Sequence, residues 1–246
     1  MYKKYRIIAL VMLLLLSSFT VTGCGIFTRQ SNAITEYDYS VMRLVQLEEL
    51  YENQPIAVIH TEFGIIKIAL YPQYAPKTVE NFINLINAGF YDGKKIEGVP
   101  MNALFYSGTP NKDDEFVGAV VEKEFSVNLW PFKGALCARS DVQGAEGESD
   151  SRFLIVNGEP FEDEHVEQLR TVTRNGEQLL PDELLLALQE KGCMVTLSGF
   201  YTVFGQTFEG FDVIEAICNA PADRNGVPID EIIIEKIEIE YYTGGE

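Results

Sequence analysis

The chain has 246 residues, 46% of them hydrophobic, with 37 acidic against 19 basic side chains and a formal charge of −18. That size and composition suit one domain of roughly 150 to 200 residues with appendages. The acidic balance argues against nucleic acid and against anionic lipid surfaces as partners, because both select clusters of Lys and Arg.

At the N-terminus, Lys3, Lys4 and Arg6 precede the apolar run Ile7 to Leu16 and the small, polar stretch SSFTVTGC. This is the layout of a bacterial secretion signal, and the run is shorter than the roughly 20 residues a spanning helix needs. Its end, Val21-Thr22-Gly23-Cys24, resembles a lipobox, which implies cleavage before Cys24 and a diacylglycerol on that cysteine. A two-chain lipid holds a protein stably on a membrane. The expected location is therefore extracytoplasmic, anchored to the cell membrane through Cys24. Loss of residues 1–23 removes three basic residues and no acidic one, leaving 16 minus 37, or −21.

From Gly25 to about Pro55 the chain is polar and acidic and reads as a tether with a docking turn, in which Val41, Leu44, Val45 and Leu47 could share one short helical face. At Ile56 the pattern changes. IAVIHTEFGIIKIALYP sets two alternating apolar runs around Thr61-Glu62-Phe63-Gly64 and predicts a β-hairpin. The next stretch places Val79, Phe82, Ile83 and Ile86 at helical spacing, between Pro76 for a first turn and Gly89 for a C-terminal stop. SRFLIV (Ser151 to Val156) predicts a buried strand.

An insertion over about 157–195 follows, with one helix in LPDELLLALQEKG, entered at Pro181-Asp182 and stopped by Gly192. Leu184, Leu185 and Leu188 form its apolar face, which packs on the chain's own barrel or docks a partner if the protein is a scaffold. FYTVFG, a helix in EGFDVIEAI and the strand IIIEKIEIEYY close the domain at about residue 242; Ile237, Ile239 and Tyr241 alternate with Glu238 and Glu240, giving one buried and one wet face. Many short strands with two helices predict a mainly β, closed antiparallel barrel.

Beyond Cys24 the cysteines are Cys137, Cys193 and Cys218, with no CxxC and no Cys/His ligand spacing. No metal and no cofactor is expected, and an odd count leaves at least one thiol unpaired. His60 and His165 have no Cys or Ser at a suggestive spacing, so a hydrolase has no support.

Several of these segments carry a family resemblance. IHTEFGIIKIALYPQYAPKTVENFINLINAGFYDG, GALCAR, SRFLI, YTVFGQTFEGFDVIEAI and PIDEIIIEKIEI, in that order from about Ile56 to Ile239, resemble the cyclophilins, peptidyl-prolyl cis-trans isomerases. The resemblance implies an eight-stranded antiparallel barrel capped by two helices. It implies catalysis of rotation about the X-Pro bond, an arginine near the imide nitrogen and an apolar pocket for the proline ring. Proline-containing exported or unfolded polypeptides would be the partners.

Carried over without gaps from Tyr91-Asp92-Gly93 to Pro110, the resemblance puts Glu97 where the family has His and Gly98 where it has the catalytic Arg. No residue from Lys94 to Pro110 is an arginine. In the pocket, Phe falls at Ala103, Met at Leu104 and Gln at Tyr106; further on, Gln falls at Arg152, Phe at Leu154, Trp at Thr196 and His at Tyr201, while Leu197 is retained. Two readings follow. Arg152 could supply the cation from a neighbouring strand, its plain alternative being a pair with an acidic residue. Otherwise Leu104, Tyr106, Leu154, Leu197 and Tyr201 line an apolar groove that binds proline peptides or unfolded chains without catalysis, unless they are simply core. Glu97 is not needed as a base, since rotation transfers no proton.

Overall fold

The computed structural model describes residues 38–114, 118–139 and 148–244. The expected signal, Cys24 and the start of the tether lie outside the described residues. From Asp38 onward the chain forms one compact unit.

The first strands, β1 (Pro55–Thr61) and β2 (Gly64–Leu70), pair antiparallel from Ile56↔Ala69 to Thr61↔Gly64. The turn forms at the expected residues: the Thr61 hydroxyl donates to the Gly64 carbonyl at 3.0 Å and accepts from the Phe63 N–H at 3.2 Å. Helix α1 (Pro76–Asn87) has Pro76 in its first turn and ends before Gly89, whose φ of 69° lies in the left-handed region. It buries Val79, Phe82, Leu85 and Ile86, with Phe82 edge-on to Phe153 and Phe204.

Next come β3 (Leu104–Ser107), β4 (Val121–Glu122), β5 (Ala135–Ala138), β6 (Glu148–Ser149) and β7 (Phe153–Val156). The insertion holds α2 (Asp163–Arg170), β8 (Thr173–Arg174), β9 (Glu177–Gln178) and α3 (Asp182–Lys191). The chain closes with β10 (Thr202–Glu209), α4 (Phe211–Cys218) and β11 (Ile234–Tyr241). At the start of α4, Gly210 has φ 93°, and a Cβ there would collide with the Ile65 carbonyl oxygen. Only glycine fits that corner.

Seven strands form the main sheet in the order β11-β1-β2-β10-β5-β7-β3, each pair antiparallel. This corrects the expectation of a closed eight-stranded barrel: the sheet is a curled half-barrel. The segment between its edges makes only isolated bridges, Lys95 to Ile233 on one side and Gly98 to Tyr106 on the other. Pro100 and the left-handed Met101 and Asn102 (φ 53° and 59°) end that segment before it can run as a strand.

Three further departures have local causes. Residues 39–47 form two 3₁₀ turns rather than one helical face, burying Leu44 and Val45 but leaving Val41 and Leu47 exposed. The Gln46 amide fixes this segment: its Nε2 donates to the Trp130 carbonyl at 2.8 Å and its Oε1 accepts from the Trp130 N–H at 2.6 Å. Helix α2 was not expected, because Val166 is its one buried residue and supplies no periodicity. The apolar face of α3 is not available for docking, since Leu184, Leu185 and Leu188 are fully buried.

Candidate functional site

Strand alternation divides the sheet's apolar residues between two layers. Phe105, Leu136, Ala138, Phe153, Ile155 and Phe204 belong to the inner core under α1. Leu104, Ala135, Cys137, Leu154, Val156 and Val203 belong to a second cluster on the outer face, with Tyr106, Leu197 and Tyr201 partly buried against it. All five residues expected to line a groove therefore lie in one cluster. The register aligns them: Tyr106 faces Leu154, Leu154 faces Cys137 and Cys137 faces Val203 across β3, β7, β5 and β10. Leu104 and Leu154 are only 9% and 2% exposed. They are core residues, and Tyr106, Leu197 and Tyr201 stand partly exposed around them as a rim. The rim is tied locally, because the Tyr201 N–H donates to the Leu197 carbonyl at 3.2 Å after the 3₁₀ turn Val195–Leu197. Thr196, in that turn, is exposed.

Gly98 lies directly against Tyr106. The Tyr106 N–H donates to the Gly98 carbonyl at 3.1 Å, and the Glu97 N–H donates back to the Tyr106 carbonyl at 2.9 Å. A Cβ on Gly98 would sit 2.5 Å from Cε1 and 2.6 Å from Oη of the tyrosine. The aromatic ring thus fills the space into which any side chain at position 98 would begin. Beside it, the Glu97 carboxylate accepts from the Thr109 N–H at 2.8 Å and the Thr109 hydroxyl at 2.6 Å. Glu97 ties the loop after β3. Below that loop, the Ser151 hydroxyl donates to the Gly108 carbonyl at 2.8 Å, and the buried Tyr91 hydroxyl donates to the Ser151 carbonyl at 2.7 Å. Burial pushes the Tyr91 phenol well above its ordinary pKa, so it stays a donor.

Among the described residues, two guanidinium groups reach this region. Arg152 precedes β7 and is forked onto Asp150, its Nε lying 3.0 and 3.1 Å from the two carboxylate oxygens and its Nη2 2.5 Å from Oδ2. Its side chain is 12% exposed. The acidic partner weighed as the plain alternative is therefore present. Arg139, just past β5, was missed. Its N–H donates to the Arg152 carbonyl at 2.8 Å, and its guanidinium carbon lies 3.8 Å from the centroid of the Tyr106 ring. The signal was available: Arg139 ends the quoted GALCAR segment two residues after Cys137, so alternation gives it the same face.

The two histidines lie apart from this cluster of rim residues and cations. His60 pairs with Glu238 at 2.7 Å on adjacent strands, and His165 packs edge-on to Phe161. Cys137, Cys193 and Cys218 are buried free thiols. Burial raises all three, Cys218 to about 12, so none offers a thiolate near neutrality.

Residues 56–239 match the family model described as cyclophilin type peptidyl-prolyl cis-trans isomerase/CLD. A Staphylococcus epidermidis protein named "Putative peptidyl-prolyl cis-trans isomerase" is 30% identical over 197 residues, 78% of this chain and 95% of its own. A Staphylococcus aureus protein of the same name has the same identity over 197 residues and the same coverage. Among solved structures, a cyclophilin type peptidyl-prolyl cis-trans isomerase of Cryptosporidium parvum, crystallised in the presence of the dipeptide Ala-Pro, superposes with a TM-score of 0.56 at 22% identity. It covers 75% of this chain and 98% of its own.

Proposed function

Because the chain belongs to the cyclophilin-type peptidyl-prolyl cis-trans isomerase family, we propose that it binds proline-containing segments of exported polypeptides on the outer face and modestly accelerates their cis-trans exchange. A lipid on Cys24 would place this activity at the membrane surface. The observation that carries the reading is the gathering of Leu104, Tyr106, Leu154, Leu197 and Tyr201 on one face beside Arg139 and Arg152. The Ala-Pro dipeptide present with the Cryptosporidium protein supports the ligand class.

The chemistry asks little of the protein. The X-Pro bond rotates over a barrier of about 18 to 20 kcal/mol, and a hundredfold acceleration requires about 3 kcal/mol of transition-state stabilisation. One hydrogen bond from a guanidinium, made only to the twisted amide, is worth about 1.5 to 3 kcal/mol. A single cation on the face therefore suffices for modest turnover although Gly98 cannot supply one. Arg152 is the cation the sequence points to, but Asp150 offsets its charge. A second reading, binding without rate enhancement, is favoured by the glycine at position 98 and by the pairing of Arg152 with Asp150, with recognition left to the rim.

Binding separates both readings from a scaffold. A proline tetrapeptide should bind, and the same peptide with alanine for proline should bind at least tenfold more weakly. Leu197→Ala and Tyr201→Ala should each lose about tenfold, equivalent to about 1.4 kcal/mol. Equal affinity for the two peptides, or rim variants without effect, would remove the proposed site.

A further inference from the structure

The isomerase reading just given needs a donor for the twisted prolyl amide, and the structure points to a particular one. We propose that Arg139, carried on the ring of Tyr106, is the catalytic residue that contacts the substrate's prolyl nitrogen, with Tyr106 as its positioning residue.

The argument begins at Gly98. The Tyr106 ring stands where a side chain from position 98 would start, with its Cε1, Cζ and Oη all within 2.6 Å of the Cβ direction. Whatever charge serves this spot must come from beyond the ring. Arg139 lies over that ring, 3.8 Å from its centroid, within the range at which a guanidinium is held by the aromatic quadrupole. The backbone fixes both partners. Tyr106 is locked to residues 97 and 98 by two hydrogen bonds and lies on β3, across from Leu154 on β7. Arg139 is anchored by its N–H on the carbonyl of Arg152. Alternation from Cys137 puts residue 139 on the face that carries Tyr106, Leu197 and Tyr201, and the contact with the Tyr106 ring holds the planar group there.

The step is electrostatic. As the C–N bond turns out of plane, the nitrogen lone pair leaves conjugation and becomes a hydrogen-bond acceptor. A guanidinium N–H donates to it, and no covalent bond forms or breaks. The planar amide has no such lone pair to offer, so the contact strengthens only in the transition state. A flat guanidinium stacks on a ring and still presents N–H groups at its edge, whereas an ammonium does not.

The test measures exchange of a proline tetrapeptide catalysed by the full chain, for the unmutated protein and for Arg139→Ala, Arg139→Lys, Arg152→Ala, Tyr106→Leu and Tyr106→Phe, with thermal unfolding to confirm that each is folded. Arg139→Ala should lower kcat at least tenfold with KM changed less than threefold, and Arg139→Lys should recover little of it. Tyr106→Leu, which removes the ring that carries the guanidinium, should lower kcat at least fivefold with KM changed less, and Tyr106→Phe, which restores the ring, should recover most of that loss. Arg152→Ala should lose less than Arg139→Ala. If the unmutated chain accelerates exchange and Arg139→Ala is as fast, or if Arg152→Ala loses more, the assignment of Arg139 is wrong while the isomerase stands. A folded chain that accelerates nothing overturns the isomerase and this assignment together.

Discussion

A methyl group placed on Gly98 would meet the Tyr106 ring at 2.5 Å, and that ring is clamped by backbone hydrogen bonds and by Arg139. Gly98→Ala should therefore destabilise the fold by about 1 to 3 kcal/mol, the usual cost of overpacking. In a Tyr106→Ala background the same substitution should cost little. A double-mutant cycle from urea unfolding measures this directly, and a coupling near zero would show that the ring yields freely. The sequence carries part of this arrangement. Glycine at position 98 and tyrosine at 106 are plain in the aligned stretch, and the shared face of Leu104, Leu154, Leu197 and Tyr201 follows from carry-over and alternation. The burial of Leu104 and Leu154 does not, because depth depends on what covers the sheet. Nor does the Arg139–Tyr106 stack, which joins β3 to the end of β5 across β7.

Long elements with a clear period were legible: β1 and β2 from alternation, α1 and α4 from helical spacing, α3 from its proline entry and glycine stop. The short pieces were not. Strands β4, β6, β8 and β9 are two residues each, too short for any pattern, and α2 buries only Val166. The sequence before β1 reads as a tether with a docking turn, and its described part is held by a polar clamp beside the buried Leu44 and Val45 rather than by one four-residue apolar face. Gln46 is 7% exposed and satisfies both main-chain groups of Trp130, while its Nε2 also donates to the Gln206 Oε1 at 2.9 Å. Gln46→Ala would leave the buried Trp130 N–H without this acceptor, at about 1 to 3 kcal/mol, while the Trp130 carbonyl still accepts from the Phe132 N–H at 2.8 Å. The variant should unfold at lower urea and be cut by protease within residues 38–54 while the sheet persists. Unchanged stability would mean that water replaces the amide at no cost.

The cyclophilin-type architecture was evident from five collinear segments, but closure of the barrel was not, since it depends on whether the stretch around Gly98 runs long enough to be a strand. Its bridges to Ile233 and Tyr106 are isolated, and the sheet remains a half-barrel. Charge acts on the protein as a unit: with 37 acidic residues against 19 basic, the chain is repelled by anionic lipid, so the proposed membrane attachment falls to the lipid alone. Cys24→Ala should move the protein from the membrane fraction to the soluble one, and continued retention would contradict the anchor. The central claim is that a family member with glycine at position 98 still turns prolyl bonds. It is tested most directly by the cis-to-trans rate of a proline tetrapeptide with the purified full chain. The account predicts an acceleration of roughly ten- to a hundredfold at saturating protein, the range one guanidinium hydrogen bond supports; an uncatalysed rate from a folded protein would contradict it.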